Sequence, residues 1–161
     1  MVDSHRGFTL IELIMIMILI GIIAAFGMPR LFSNSPFEER GFYDGVLNAL
    51  RYAQKRATAS RCSVLVEITN STLTLTTHGV NHLGTCDVSS NLTRPLYNPS
   101  TGESFYTLSA PEGVTMTGPA SLIFLGTGAA NLGGNQSITI TINTRSISVL
   151  AETGFVDGSQ Q

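Results

Sequence analysis

Charge is what this chain of 161 residues has least of. Only 12% of its residues are charged and the formal net charge is −2. That balance removes any broad electrostatic case for binding nucleic acid or an acidic surface. Catalytic patterns are missing too. No serine sits in a Gly-x-Ser-x-Gly element, and His5, one of the three histidines, lies at the extreme N-terminus. Glu103, Glu112 and Glu152 are scattered, with no pairing suited to acid–base work. The glycine-rich stretch from Gly126 to Asn135 does not join a strand to a helix, so it is not a phosphate loop and reads as surface loop. No internal repeat is visible, and no stretch is biased enough to read as disordered except the tail after Gly158. From these absences no enzyme, cofactor or metal is expected.

What the chain does have begins at its seventh residue. Arg6-Gly7-Phe8-Thr9-Leu10-Ile11-Glu12 leads into an apolar run that reaches Met28 and contains no charged side chain other than Glu12. A secretory signal would be cut after its apolar stretch, next to small residues. Here the natural processing point is Gly7, in front of the run, so the apolar segment would stay in the mature protein. Phe8 to Met28 is 21 residues, roughly 31 Å of helix, enough for a bilayer core of about 30 Å. Helix is the expected state, because a backbone in lipid must satisfy its own hydrogen bonds. Arg6 precedes the span and votes for an N-terminus-in, C-terminus-out orientation, while Arg30 can reach the headgroups from the far end. A plain anchor would not need Glu12. A charge at the centre of a membrane helix costs on the order of 2.5–3.5 kcal/mol, and intramembrane acids are functional candidates by default.

The junction resembles the N-terminus of type IV prepilins and pseudopilins, with Gly7, Phe8, Thr9, Leu10, Ile11 and Glu12 all matching. The resemblance implies cleavage between Gly7 and Phe8 by a prepilin peptidase, which also N-methylates Phe8. It further implies that Glu12 pairs with the free amine of a neighbouring subunit during filament assembly. Pro29 matches the helix-kinking proline of many family members. A carboxylate beside that ammonium is a paired charge, where an isolated one would be costly. The implied partners are other major and minor pilins, the peptidase/methyltransferase, an inner-membrane assembly platform and the inner-membrane lipid.

Beyond Met28 the pattern changes. Gly27, Pro29 and Ser33-Asn34-Ser35-Pro36 are expected to kink or divide the first helix. From about Phe37 to Ser60 a helical pattern returns, with Phe42, Val46, Ala49, Leu50, Ala53 and Ala57 on one face. Glu38 and Glu39 lie near its start and Arg51, Lys55 and Arg56 near its end, an order that complements the helix dipole. The cluster Arg51, Lys55, Arg56 and Arg61 reads as a solvated helix end rather than a nucleic-acid contact. Ser63–Thr69 alternates, and Leu73 and Leu75 repeat the period after Asn70-Ser71, which predicts a hairpin. Short strands are expected at 105–108, 114–116 and 122–125. A second hairpin is expected from 137–142 and 146–150 around Asn143-Thr144-Arg145. The predicted class is α+β: a long N-terminal helix packed on antiparallel β-sheets, as a twisted sheet or small sandwich. The expected divisions are a leader at 1–7, a membrane half-helix at 8–28, an amphipathic half-helix at 29–60 and a β-rich head at 61–161.

Only Cys62 and Cys86 carry thiols. If the head lies outside the cytoplasm, as the orientation implies, a disulfide between them is the default. It would close a loop of about 25 residues and stabilise by roughly 3–4 kcal/mol in the chain-entropy account. A rival reading takes His78, His82 and Cys86, spaced four apart, as metal ligands, but Gly79 and Gly84 break the helix that spacing would need.

Within the family, the segment from Leu50 to Ser60 running into a Val-rich strand is similar to the H-type pseudopilin and T-type fimbrial group (GspH/FimT). Cys62, Cys86 and Asn98-Pro99-Ser100-Thr101-Gly102 are most similar to minor pilins of mannose-sensitive haemagglutinin (MSHA) pili. The resemblance implies a minor pilin that primes or caps a type IV pilus, resident in the bacterial inner membrane with a periplasmic head, then displayed on the cell surface. The alternatives are a minor pseudopilin of type II secretion, or a tip subunit that binds DNA or a surface. T-type pilins that take up DNA carry Gly-Arg-x-Arg near the C-terminus. Here the corresponding stretch is Gly154-Phe155-Val156-Asp157, which lacks the cations phosphate binding needs, so nucleic acid is disfavoured although Arg94 and Arg145 remain.

Overall fold

The computed structural model describes residues 9–31, 35–79, 85–87 and 89–159. Two helices open it, α1 over Leu10–Leu31 and α2 over Ser35–Ser60. The chain divides into two units, Met1–Pro36 and Phe37–Gln161.

In the first unit, Thr9 starts α1 as its cap: its carbonyl accepts from Leu13 N at 3.2 Å and its hydroxyl from Glu12 N at 3.3 Å. Gly27 and Pro29 do not end the helix, which runs through both to Leu31. A proline there forfeits one backbone donor, a modest loss so near the end of a helix. Side chains of α1 are described as far as Ala24, roughly 22 Å along the axis, and among the described residues no helix is long and apolar enough to cross a membrane.

The second unit is built on α2. Pro36 in its first turn has the φ a helix needs and no N–H to satisfy, and Glu38 in the same turn faces the positive end of the dipole. No basic residue falls in the last turn. Arg51, Lys55 and Arg56 sit too early to complement a dipole effect confined to that turn, which corrects the expected charge order at this end. The helix stops where Arg61 turns left-handed, at φ 54°. Against that turn a Cβ on Gly126 would come within 2.7 Å of the Arg61 carbonyl carbon and oxygen, so only glycine fits beside it.

Among the described residues ten strands follow: β1 Val64–Ile68, β2 Thr72–Thr77, β3 Arg94–Pro95, β4 Tyr106–Ser109, β5 Met116–Thr117, β6 Ser121–Phe124, β7 Ala130–Asn131, β8 Ser137–Ile142, β9 Arg145–Leu150 and β10 Val156–Ser159. They form two antiparallel sheets. One has the order β3-β2-β1-β6-β7, with β4 also pairing β2; the other has the order β10-β9-β8-β5. The strands β3 and β4 share β2, with β3 opposite Thr76 and Thr77 and β4 opposite Thr72 to Leu75. The fold is therefore the expected α+β arrangement of a helix on antiparallel sheets.

Both expected hairpins form. In the first, Val64, Val66 and Ile68 are buried while Glu67 is exposed, and Ile68 lies opposite Leu73. The Thr69 hydroxyl closes its turn by accepting from Thr72 N at 2.9 Å. In the second, Ile142 pairs with Arg145, so Arg145 belongs to the strand and the loop is only Asn143-Thr144. Asn143 takes φ 49°, a left-handed value asparagine tolerates.

Three strands were not legible. β3 contains a proline, β7 interrupts the glycine-rich stretch expected to be loop, and β10 occupies the chain up to Ser159, where only a disordered tail was expected beyond Gly158. β10 lies close to α2: a Cβ on Gly158 would meet Leu47 Cδ2 at 2.8 Å and the Tyr43 hydroxyl at 2.9 Å. One apolar cluster joins α2 to both sheets. All six residues expected on its buried face are buried, and Tyr43 and Leu47 join them. The side chain of Tyr43 reaches the second sheet, donating to Ser146 O at 3.2 Å, and Tyr52 stacks on Tyr106 of the first.

Candidate functional site

The first candidate region is α1. Twelve large apolar side chains from Leu10 to Ile23 are exposed, between 42% for Ile16 and 79% for Leu10. They occupy every face of the helix, and a helix apolar all round is one that lipid or other protein must cover. Glu12 is the single carboxylate of this helix, in its first turn, and its side chain is exposed. Thr9-x-x-Glu12 is also the spacing of a capping box, in which the acid favours the helix start. That signal was present in the sequence and supplies a local reason for a carboxylate here beside any role between subunits. The cleavage and methylation pair, Gly7 and Phe8, lies outside the described residues. Pro29 sits in the last turn of α1.

Elsewhere, in the head, the structure joins Cys62 to Cys86, with their Cα atoms 5.3 Å apart. The bond ties the end of α2 to the segment after β2. In that bond the Cys86 sulfur is not a thiolate, the form in which cysteine binds a metal. His82 lies outside the described residues, and His78 Nδ1 contacts Ser90 O at 2.6 Å. Among the described residues no group of His, Cys, Asp and Glu is placed to hold a metal.

The Asn98-to-Gly102 segment makes a closed turn. Asn98, 3% exposed, accepts from Gly102 N at 2.9 Å through its carbonyl and from Ser100 N at 3.0 Å through Oδ1, while its own N–H donates to Glu103 O at 2.9 Å. The C-terminal element Gly154-Phe155-Val156-Asp157 enters β10, with Gly154 buried and Asp157 exposed. Of the two basic residues left open for DNA, Arg145 lies over the Tyr43 ring with Cζ 5.5 Å from its centroid, and Arg94 stands on edge strand β3. They are not neighbours on one strand or hairpin. Burial raises the Tyr43 hydroxyl above its usual pKa, with the Arg145 charge opposing that shift in part.

Residues 3–28 match the prokaryotic N-terminal methylation motif. Among solved structures, the type IV minor pilin FimU of Pseudomonas aeruginosa (strain PAO1) superposes with a TM-score of 0.55 at 14% identity, covering 79% of this chain and 92% of that one. A second crystal form of FimU gives 0.52 at 15% identity, over 75% and 92%. This is a pilin fold. At such identities the likeness speaks for the pilin fold alone, and the methylation motif is the independent observation at the N-terminus. Comparison with curated proteins finds no significant match.

Proposed function

We propose that the chain is a minor subunit of a type IV pilus, helping to prime or cap the filament. One observation carries the reading: a methylation motif over residues 3–28 leads into a helix apolar on every described face, whose single carboxylate is Glu12. The pilin fold of the head supports it. In this reading a prepilin peptidase cuts between Gly7 and Phe8 and methylates Phe8. The 22 residues of α1, roughly 33 Å long, then hold the mature chain in the inner membrane as a single pass, with the head in the periplasm. An oxidising periplasm suits the Cys62–Cys86 bond. On extraction from lipid, the apolar sides of α1 pack on the helices of other pilins in the filament. Pro29 bends the helix, and the disulfide with the Asn98 turn favours the MSHA-like subgroup.

Glu12 is the residue the mechanism turns on. In the filament its carboxylate faces the Phe8 ammonium of a neighbour, so that both charges leave water as a pair. Removing one partner strands the other, a loss of roughly 3–5 kcal/mol. Glu12→Ala should therefore insert normally or better, still be cleaved, and be depleted more than about tenfold from sheared pili relative to its membrane level. Glu12→Gln, which keeps an acceptor without the charge, should fall between. Wild-type incorporation of the Ala variant would remove Glu12 from assembly and leave α1 a simple anchor.

A further inference from the structure

A groove of about 710 Å³ opens on the head between the end of α2, the end of β2 and strand β3. Arg56, Arg94 and His78 line it, together with Tyr52 and Tyr97, and no carboxylate among the described residues does. In a chain of net charge −2 this is a local reversal of sign. Among the described residues neither guanidinium is held in an ion pair. The two arginines come from positions 38 apart in sequence (94 − 56), brought to one groove by the pairing of β3 with β2.

The neutral groups of the groove have a definite polarity. Ser60 Oγ donates its proton to Arg56 O at 2.7 Å, Thr77 Oγ1 to Ser63 O at 2.9 Å, and the Tyr52 hydroxyl to Tyr97 O at 3.1 Å. Each of these oxygens has spent its one donor; Ser60 Oγ also accepts from Cys62 N at 3.3 Å and keeps one lone pair to offer, while the Thr77 and Tyr52 hydroxyls keep two. His78 Nδ1 lies 2.6 Å from Ser90 O, and since a carbonyl only accepts, Nδ1 carries a hydrogen. The complementary ligand must bring an anion for the guanidiniums and hydroxyl donors for the committed oxygens.

The frame is fixed. Tyr52 is stacked on Tyr106 with centroids 5.5 Å apart. The backbone on either side of Tyr97 is pinned, Leu96 N donating to Leu75 O at 3.2 Å and Asn98 N to Glu103 O at 2.9 Å. Tyr97 itself is 55% exposed, an aromatic face held ready at little entropic cost.

The geometry points to a binding site for a carboxylate-bearing saccharide, a uronic-acid oligosaccharide. Its carboxylate matches the planar fork of a guanidinium, its hydroxyls donate to Ser60, Thr77 and Tyr52, and the C–H face of a sugar ring lies on Tyr97. A DNA backbone offers phosphate acceptors without hydroxyl donors, which would leave those oxygens facing acceptors.

The test uses the full chain in detergent micelles, titrated calorimetrically with tetrasaccharides of hyaluronan and of polygalacturonate, with neutral chitotetraose and with oligo-dT. Binding of at least one acidic tetrasaccharide at roughly millimolar affinity or better is expected, with chitotetraose and oligo-dT at least about tenfold weaker. Arg94→Gln and Arg56→Gln, both exposed in the fold, should each weaken the acidic sugar about tenfold without lowering the thermal midpoint. Tyr97→Ala should weaken it without changing its salt dependence. Equal binding of the neutral sugar, tighter binding of oligo-dT, no binding of either acidic sugar, or indifference to both arginine substitutions would each overturn the assignment.

Discussion

Ile18 in α1 is 58% exposed, while Ile140 in β8, the same side chain, is fully buried. Both sit in segments dominated by isoleucine, and the difference lies in what surrounds them. The head supplies its own cover: Ile140 belongs to a cluster contributed by α2 and both sheets. By contrast, the described apolar side chains of α1, from Leu10 to Ile23, are exposed on every face of the helix. Hydrophobic burial in the head is thus folding energy, whereas in the proposed function the burial of α1 comes with transfer to lipid or to other pilins. Under that proposal a single sequence divides its apolar surface between stability and assembly, and substitutions in the two regions should be read by different measurements.

The sharpest way to break that division is a matched pair of truncations. Phe124, fully buried in β6, faces the shared core. Phe124→Ala should lower the unfolding free energy of the head by about 3–5 kcal/mol, read by urea titration in micelles with far-UV circular dichroism. Ile18→Ala should leave that transition within about 0.5 kcal/mol, because Ile18 is not part of the apolar cluster that holds the head. A head transition that shifted with Ile18 would show that the two regions share stability after all.

Next in size is the bond between Cys62 and Cys86, separated by 24 residues. Replacing both cysteines with serine should cost the head about 3 kcal/mol through the longer loop the unfolded chain regains. Membrane partition, which the proposed function assigns to α1, should not move. Thiol labelling of the wild-type protein without reductant should modify neither cysteine. If labelling found both thiols free, the metal reading of His78 and Cys86 would need to be reopened.

How much of this was legible follows the same division. Much that is local was readable: the 3.6-residue period from Phe42 to Ala57, the alternation at Val64, Val66 and Ile68, and the Ile138 hairpin. Each is set by neighbours within a few residues. What escaped reading depends on partners far away. Arg94-Pro95 is a strand only because β2 offers it an edge, and Ala130-Asn131 only because β6 does. The last strand, Val156–Ser159, contains a glycine that weakens any strand signal, yet Gly158 is the residue whose missing Cβ lets β10 approach Leu47 and Tyr43. The groove was invisible for the same reason, since Arg56 and Arg94 meet only through the pairing of β3 with β2. The helix-dipole argument for Lys55 and Arg56 failed on register, one turn short of where it acts.

The smallest predicted effect separates local from tertiary control inside one turn. Asn143 was read as a turn residue, and its φ of 49° agrees with the conformations asparagine tolerates. The structure adds that its side chain is engaged on both sides. Its Oδ1 accepts from Thr115 N at 2.9 Å and from the Thr115 hydroxyl at 3.2 Å, while Nδ2 donates to Glu39 Oε2 at 3.0 Å. The substitution Asn143→Asp keeps the acceptor, and aspartate also tolerates a positive φ. Only the donor is lost, and it is replaced by an oxygen facing the Glu39 carboxylate. Both groups are near solvent, so the expected loss of stability is about 0.5–1 kcal/mol at neutral pH, shrinking as salt screens the repulsion. Asn143→Ala should cost more, about 1–2 kcal/mol, because it removes both bonds and places a poorer residue at positive φ. Thermal unfolding of the two variants at low and high salt distinguishes the cases. If Asp were neutral at low salt, the link from the hairpin to α2 would contribute nothing, and the turn would be held by local chemistry alone. A salt-sensitive loss for Asp, smaller than that for Ala, would instead assign part of the turn's stability to Glu39, a residue 104 positions away in sequence.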